Sequence, residues 1–255
     1  MKYFKLIGIM SLLVFSFYLT DFVTELAINT NPLMQTINKN SKNYRETSVD
    51  AIIENNTIIP GIKGKKVNEM ESFLNMKDFG SFNINYLVYD SIKPEISIED
   101  NKDKIIISGN KNIRQITILI KNNNDIEGYV QTKNIKYSKL ITTKDNIIIG
   151  ENINIETNKK MFENLDILLN KKELNKKICI INYSNIEVCK KKEYYLVKPN
   201  IYLRNVNFIE SLNNIENGSI VFIDDKLSLE NFKLFENKIY NSDLNFVYLS
   251  KIIKE

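Results

Sequence analysis

Residues 216–232 read ENGSIVFIDDKLSLENF: a glycine turn, a short apolar run, two acids and then a helix-like pattern. The apolar run is bounded by turn residues, which predicts a buried strand. In enzymes built on parallel strands, the side chains at such a strand end often carry the chemistry. Asp224 and Asp225 hold this position, so the first question is whether they belong to a functional site.

The same alternation of strand-like and helix-like segments extends over the second half of the chain. Apolar runs such as IRQITILI (113–120) and KKICIINY (176–183) are separated by segments such as NKKMFENLDILLNKKEL (158–174), whose apolar residues fall on one helical stripe. Strands that alternate with helices imply a parallel sheet or a (β/α) barrel. With some six strands in roughly 140 residues, a full eight-unit barrel does not fit. We therefore predict an α/β fold for residues 111–255, in the form of a shortened, distorted (β/α) barrel.

The preceding region has a different pattern. Residues 51–110 contain short apolar runs separated by turns at Pro60-Gly61, Pro94 and Gly109, which are signals of strands. Residues 67–80 have helical spacing of apolar side chains. We expect a small β-rich subdomain with one short helix.

The N-terminus has the form of an export signal. Lys2 and Lys5 precede fifteen uncharged residues, from Leu6 to Thr20. No small-x-small cleavage pattern follows, so we expect residues 1–27 to be an uncleaved, membrane-spanning signal anchor, with a cleaved signal peptide as the alternative. The positive flank predicts a single-pass protein of the cell membrane with its C-terminal part outside the cell.

The segment after the anchor is polar. Residues 28–50 are interrupted by Pro32 and are interpreted as a tether with some helical tendency.

The composition excludes several classes of function. The chain has no histidine, which rules out Ser-His-Asp, Cys-His and His-zinc mechanisms, and no tryptophan. The net charge is only +4, without a basic face, so nucleic acid is not an expected partner. Cys179 and Cys189 lack a C-x-x-C spacing. Two buried thiols are the favoured interpretation, and a disulfide is the alternative.

The order of these segments resembles the polysaccharide deacetylase (NodB-homology) family over residues 105–253. In that family a glycine-polar-apolar strand ends in a histidine, and a helix and a final strand close the domain, much as residues 217–253 do here. The resemblance implies a deacetylase-type barrel. The matching segments are ITILIKNNND (116–125), IIGENINIE (148–156) and KKICIINYSNIEVCKKKEYYLVKPN (176–200), and residues 56–68 and 87–97 resemble the N-terminal region of some membrane-anchored bacterial members.

The catalytic residues of that family are replaced in this chain. The family holds a divalent metal such as zinc with one Asp and two His, and uses a neighbouring Asp as base and a late His as acid. The resemblance places the Asp pair at Lys121 and Asn122, the metal-binding histidines at Asn152 and Glu156, and the late histidine at Asp224. A lysine at the first position repels a cation, so no metal cofactor is expected. The arginine that usually follows the middle strand is also missing.

Carboxylates offer one alternative site. Asn152 and Glu156 keep the four-residue spacing, and magnesium or calcium accepts oxygen ligands. Asp224 and Asp225 are poor candidates for a glycosidase pair, because adjacent strand residues point to opposite faces. Asp225 is expected to cap the next helix or face solvent, and Ser228 is a further cap.

A groove without its metal could still hold a sugar. Asp224 lines the cleft by its family position, and the tyrosines Tyr183, Tyr194, Tyr195 and Tyr202 are near in sequence, so these residues are the candidates for a glycan groove. Core packing is the commoner role of such tyrosines.

Three functional hypotheses follow. The favoured one is an exported, membrane-anchored deacetylase-like protein without catalytic activity that binds a cell-wall glycan or an envelope protein at the bacterial cell envelope. The second is an active N-deacetylase of peptidoglycan or chitooligosaccharide with a rebuilt, histidine-free metal site. The third is a module that binds a protein partner through residues 51–110.

Overall fold

A computed structural model describes residues 2–142, 147–151, 178–181, 186–191 and 193–255. Within these ranges the chain forms eight α-helices and thirteen strands. The helices are α1 (Lys2–Thr30), α2 (Pro32–Ser41), α3 (Glu69–Met76), α4 (Asn124–Thr132), α5 (Ile186–Lys191), α6 (Phe208–Asn213), α7 (Leu229–Asn241) and α8 (Leu249–Ile252). The strands are β1 (Ile52–Glu54), β2 (Thr57–Ile59), β3 (Gly64–Val67), β4 (Tyr89–Ile92), β5 (Ile105–Ile106), β6 (Gln115–Ile120), β7 (Ser138–Thr142), β8 (Ile147–Glu151), β9 (Ile178–Ile180), β10 (Tyr195–Val197), β11 (Ile201–Leu203), β12 (Ile220–Ile223) and β13 (Asn245–Phe246).

The chain divides into two compact units that alternate along the sequence. Unit 1 contains residues 1–48 and 63–92, and unit 2 contains residues 49–62 and 93–255. The observed division differs from the predicted boundaries, because residues 51–110 do not form one subdomain. Backbone pairing on each side of the boundary explains this division. Glu46 pairs with Lys65 within unit 1, and Val49 pairs with Ile62 within unit 2.

Helix α1 is long and apolar enough to cross a membrane. Residues Met10–Thr30 have a mean hydropathy of 1.5, and none of this stretch is buried. The helix continues past the predicted end at residue 27 and stops before Asn31, whose side chain caps α2 by accepting a hydrogen bond from the Leu33 backbone N–H at 2.9 Å.

The predicted tether is instead a packed element of unit 1. Helix α2 buries Leu33, Met34 and Ile37. These side chains form a core cluster with Val67 of β3 and with residues of α3. This segment packs because three apolar residues on one face of a mostly polar helix are sufficient to bury that face against a partner.

Unit 2 contains two sheets. One has the strand order β1-β2-β5-β10-β9, and the other has β11-β12-β6-β7-β8 with β13 also paired to β6. Neighbouring strands are parallel except in the pairs β1–β2 and β7–β8. The mixed α/β class with parallel sheets confirms the predicted fold class.

The core of unit 2 lies on both faces of the sheet that contains β6. Ile116, Ile118 and Ile120 pack against helices, in a cluster that includes Phe232 and Phe235 of α7. Leu119 points to the opposite face and joins a second cluster, to which both sheets contribute: its members include Ile106, Val197, Ile220 and Val247. The inner faces of the two sheets therefore share one core, as in a barrel.

The glycine turn of the opening stretch is required by the packing of two backbones. Gly218 has φ of +81°, and a side chain there would collide with the backbone of Gly109. The Gly109 N–H also donates to the Gly218 carbonyl at 2.8 Å. Only glycine fits this turn, which fixes the start of β12.

The two cysteines form a disulfide, which corrects the expectation of free thiols. Cys179 lies in β9 and Cys189 in α5, and their Cα atoms are 6.2 Å apart. Both are buried, in a cluster with Leu196 of β10. The strand and the helix that follows it face each other, so a sequence separation of ten residues brings the two sulfur atoms together.

Candidate functional site

Three parallel strands bring the predicted catalytic positions to one edge of the sheet. Strands β11, β12 and β6 are in register, with Tyr202 beside Phe222 and Phe222 beside Leu119. The ladder continues past the strand ends, where the Lys121 backbone N–H donates to the Ile223 carbonyl at 2.9 Å. The structure therefore places the ends of these strands side by side, as expected for the mouth of a barrel.

We use the name barrel mouth for Arg204, Asp224 and Lys121 together with Tyr202 and Phe222 just below them. Side chains alternate along a strand, so the three charged residues continue the face that carries the two aromatic rings. The Arg204 guanidinium lies 5.8 Å from the centre of the Tyr202 ring, and the Tyr202 and Phe222 rings are 5.4 Å apart. The mouth thus has an aromatic floor and a charged rim.

Two neighbouring groups hold the Asp224 carboxylate in place. Its side chain is 16% exposed, and its Oδ2 lies 3.4 Å from Arg204 Nε. Its Oδ1 accepts a hydrogen bond from the Lys226 backbone N–H at 3.0 Å. Since Arg204 is about half exposed, this ion pair orients the carboxylate more than it stabilises the fold.

Asn123 connects the end of β6 to the loop after β12. Its side-chain Nδ2 donates to the carbonyls of Asp224 at 2.9 Å and Leu227 at 3.0 Å. Its Oδ1 accepts from the Ile126 backbone N–H at 3.1 Å and so caps α4. Asn123 is not among the residues predicted from the sequence, although an asparagine that directly precedes a helix is a recognisable cap signal.

Asn205 makes a second connection at the same edge. Its Nδ2 donates to the Lys226 carbonyl at 2.7 Å, and its Oδ1 accepts from the Ser228 backbone N–H at 3.1 Å and from Asn231 Nδ2 at 2.9 Å. The loop between β12 and α7 is therefore fixed from both neighbouring strands. No local signal in the sequence marks Asn205, because its partners are more than twenty residues away.

The other acidic and polar candidates at this edge face solvent or cap a helix. Asn122 is exposed and has φ of +54°, a conformation that asparagine tolerates. Asp225 is exposed, and Ser228 is the N-cap of α7, where its Oγ accepts from the Asn231 backbone N–H at 3.3 Å. The expectation for Ser228 is confirmed.

The candidate tyrosines are not gathered at one place. Tyr202 is 39% exposed at the barrel mouth, and burial raises the pKa of its hydroxyl while Arg204 opposes that shift. Tyr195 begins β10, nine residues before Arg204, and its ring lies 6.0 Å from Lys102 Nζ. Burial is also the main cause that raises the pKa of Tyr195. Tyr194 packs beside the disulfide.

Three candidates cannot be placed. Asn152, Glu156 and Tyr183 lie outside the described residues.

The described side chains at the mouth do not fit a divalent metal. Asp224 is a single carboxylate that already pairs with Arg204, and Lys121 adds a second positive charge at the same edge. In the part of the chain that the structure describes, no group of three or more His, Cys, Asp or Glu side chains is arranged to hold a metal ion. Oxygen ligands around a cation need several convergent carboxylates or carbonyls. We therefore derive no step that uses a metal.

A solved structure has a similar fold. A CE4 family pseudoenzyme from Bacillus anthracis superposes with a TM-score of 0.51 and 15% sequence identity, over 88% of this chain and 95% of that chain. A mutant of the same pseudoenzyme with restored enzymatic activity superposes with a TM-score of 0.51 and 14% identity, over 88% of this chain and 98% of that one.

Similarity in sequence is more local. The chain is 37% identical over 62 residues to the uncharacterized protein YlxY of Bacillus subtilis, and the match covers 24% of this chain and about a fifth (19%) of the length of that relative. No protein-family model matches. The resemblance to the polysaccharide deacetylases is thus confirmed in the fold, which this chain shares with a CE4 family pseudoenzyme.

Proposed function

We propose that this chain is an exported, membrane-anchored, polysaccharide-deacetylase-like protein that lacks hydrolase activity and binds a glycan of the bacterial cell envelope at the barrel mouth. The observation that carries the proposal is the composition of the mouth, where Lys121 and Arg204 flank Asp224 above the Tyr202 ring. Positive charges beside the one carboxylate of the mouth oppose the binding of a metal ion, whereas an aromatic face with polar groups around it is suited to hold a sugar.

Two further observations support the proposed location, an exported protein anchored in the membrane. Helix α1 has the length and hydropathy of a membrane span. The Cys179–Cys189 disulfide favours an oxidising environment, because thiols inside most bacterial cells are kept reduced.

The first experiment measures catalysis. The purified full chain is incubated in mild detergent with acetylated chitooligosaccharide and with peptidoglycan, in the presence of zinc, cobalt, manganese or magnesium. We expect no acetate release and no stoichiometric metal. Acetate release that disappears in Asp224→Ala or Glu156→Ala would instead establish a histidine-free deacetylase. It would refute the proposal that the chain lacks hydrolase activity.

The second experiment measures glycan binding. We expect the parent chain to bind chitooligosaccharide or peptidoglycan fragments, and Tyr202→Ala to weaken binding about tenfold, which corresponds to about 1.4 kcal/mol. Tyr240→Ala is the matched control, because Tyr240 is an exposed tyrosine of α7 that is not part of the mouth. Equal losses in the two variants, or no binding by the parent chain, would contradict a glycan groove at the mouth. If substitutions of exposed residues within 51–110 abolished function in cells while mouth variants were normal, a protein-partner module would be the better explanation.

A further inference from the structure

Unit 1 contains a cavity that the glycan proposal does not use. Its volume is about 800 Å³, and it lies between α2, the turn that follows α2, β3 and the start of α3. We call it the basic pocket, because four of its lining residues are cations: Lys39, Lys42, Arg45 and Lys66. All of its lining residues belong to the same compact unit.

The four cations of the pocket make no ion pair with the acidic residues that the structure describes. Within the described ranges none of the four forms an ion pair, whereas the neighbouring Lys65 pairs with Glu46 at 2.7 Å. Two carboxylates, Glu69 and Asp90, also line the cavity, and Asp90 accepts a hydrogen bond from Asn68 Nδ2 at 3.1 Å. Four positive and two negative charges leave an excess of two positive charges around one cavity. A bound anion would reduce their mutual repulsion.

The rest of the lining limits the kind of anion. Met34 and Val67 are buried and Met70 is partly exposed, so part of the wall is apolar. Asn38 and Ser41 add polar groups. Several cationic donors around one space suit a phosphate, whose oxygens accept many charge-assisted hydrogen bonds, better than a single carboxylate.

The pocket also lies close in sequence to the apolar helix. Lys39 follows Thr30, the last residue of α1, by nine residues, and a helix rises 1.5 Å per residue. The pocket is therefore within roughly 15 Å of the end of α1 along the chain. If α1 crosses the membrane, as proposed above, this distance is within reach of lipid headgroups.

We propose that the basic pocket binds a phosphate group carried on an apolar or glycerol moiety, as in the headgroup of an anionic phospholipid. The choice of a lipid over a soluble phosphate as the source of this group rests on the proposed membrane anchor. The pocket is independent of the barrel mouth, so failure of one proposal leaves the other intact.

The test titrates the full chain in neutral detergent with four probes. These are dihexanoyl-phosphatidylglycerol, dihexanoyl-phosphatidylcholine, glycerol 3-phosphate and inorganic phosphate, and the readout is the dissociation constant from calorimetry. We expect phosphatidylglycerol to bind at least tenfold more tightly than phosphatidylcholine, and its affinity to fall as salt is added. Equal or tighter binding of glycerol 3-phosphate would assign the pocket to a soluble phosphate. Binding of none of the anions, or equal binding of phosphatidylcholine, would overturn the proposal.

Charge-reversal variants test whether the lipid phosphate binds in the basic pocket. Lys42→Glu and Arg45→Glu are each expected to weaken binding of phosphatidylglycerol about tenfold, the effect of losing one charge-assisted contact. Lys77→Glu is the matched control, because Lys77 is an exposed lysine of the same unit that does not line the cavity. It is expected to change the affinity less than about twofold. A loss as large in Lys77→Glu as in Lys42→Glu would show a general surface charge effect and would refute a defined pocket. Glycan binding measured on the same variants is expected to remain unchanged.

Discussion

Asn123 connects three parts of the chain through one buried side chain. It caps α4 and donates to the carbonyls of Asp224 and Leu227 in the next loop. The resemblance aligns the neighbouring Lys121 and Asn122 with a catalytic pair of the family. In this chain the side chains of Asn123 and Asp224 at this edge are hydrogen-bonded within the protein and hold the loop after β12 in place.

Asn123→Ala is expected to lower the free energy of unfolding by about 2 to 3 kcal/mol, because a helix cap and two buried acceptors lose their partner. The measurement is urea denaturation of the full chain in mild detergent. Asn124→Ala is the control: it alters an exposed residue one position along and should change stability by less than about 0.5 kcal/mol. Equal stability of the two variants would show that the Asn123 contacts contribute nothing.

A second residue-scale prediction concerns pH. The Tyr129 hydroxyl donates to Glu236 Oε2 at 2.7 Å, and this hydrogen bond, with burial as a further cause, holds the pKa of Tyr129 above its ordinary value of 10.0. A raised pKa in the folded state favours the protonated form. The stabilisation is therefore complete below pH 10 and is lost as pH rises through the raised pKa.

Thermal unfolding between pH 8 and pH 12 tests this linkage. The parent chain should lose stability more steeply above pH 10 than Tyr129→Phe, which has no hydroxyl to ionise. Glu236→Gln should flatten the same part of the profile, because it removes the carboxylate charge that disfavours the phenolate. An identical slope in Tyr129→Phe and the parent chain would be evidence against the coupling.

Helix α2 shows how a polar segment becomes part of a core. Ile37 is fully buried between α2 and its partners in unit 1, where Val67, Phe73 and Met76 surround it. Asn31 and Pro32 provide the start of the helix, an N-cap followed by proline in the first turn. Local helix signals and tertiary burial agree in this segment.

Ile37→Ala is expected to cost about 3 kcal/mol of stability in unit 1, since it leaves a cavity in a packed cluster. Hydrogen exchange of α2 and α3 in the full chain reports on this unit. Gln35→Ala, an exposed change on the same helix, should leave the exchange rates nearly unchanged. Equal exchange in the two variants would mean that the segment is a tether after all.

The sequence predicted some elements and missed others for identifiable reasons. The apolar runs of β6 and β12 and the helical stripe of α7 lie where the patterns placed them, because buried parallel strands are continuously apolar. Helix α4 was missed, since its start is an asparagine-rich turn and it buries only Ile126, Glu127 and Val130. The antiparallel pairing of β7 with β8 was also missed, because strands that alternate with helices predict parallel neighbours.

At the scale of the whole molecule, the sequence could not reveal which segments associate. Residues 63–92 leave unit 2 and return to it, and the bridges at Val49 and Lys65 that separate the two units involve residues 13 to 19 positions apart. Such pairings have no local signature. The catalytic positions could be aligned with the family, but the contacts of Asn123 and Asn205 across about 20 to 100 residues could not be predicted.

The disulfide allows a direct test of the compartment. The full chain made in bacteria and denatured without reductant should show no alkylated thiol by mass spectrometry, and two alkylated thiols after reduction, since both cysteines are paired. Two reactive thiols before reduction would show that the pair is open in the cell, and would remove the main argument for an external location.

The orientation of α1 is a separate property, because positive charges lie on both sides of the helix and oppose each other. Lys2 and Lys5 precede the apolar stretch, and Lys39, Lys42 and Arg45 lie within fifteen residues after Thr30. The positive-inside rule applied to these two flanks gives no clear preference, although long domains are translocated largely regardless of charge. The disulfide then favours an external C-terminal part.

Protease treatment of oriented vesicles tests the external orientation. In right-side-out vesicles from bacteria that express the full chain, added protease should digest the part after residue 50, and inside-out vesicles should protect it. Lys2→Glu combined with Lys5→Glu should lower the digested fraction in right-side-out vesicles, because it removes the charges that retain the N-terminus inside. Lys77→Glu changes a charge far beyond the helix and should have no effect. Digestion only in inside-out vesicles would place unit 2 in the cytoplasm, where the mouth could not meet a wall glycan and the disulfide would be expected to be reduced.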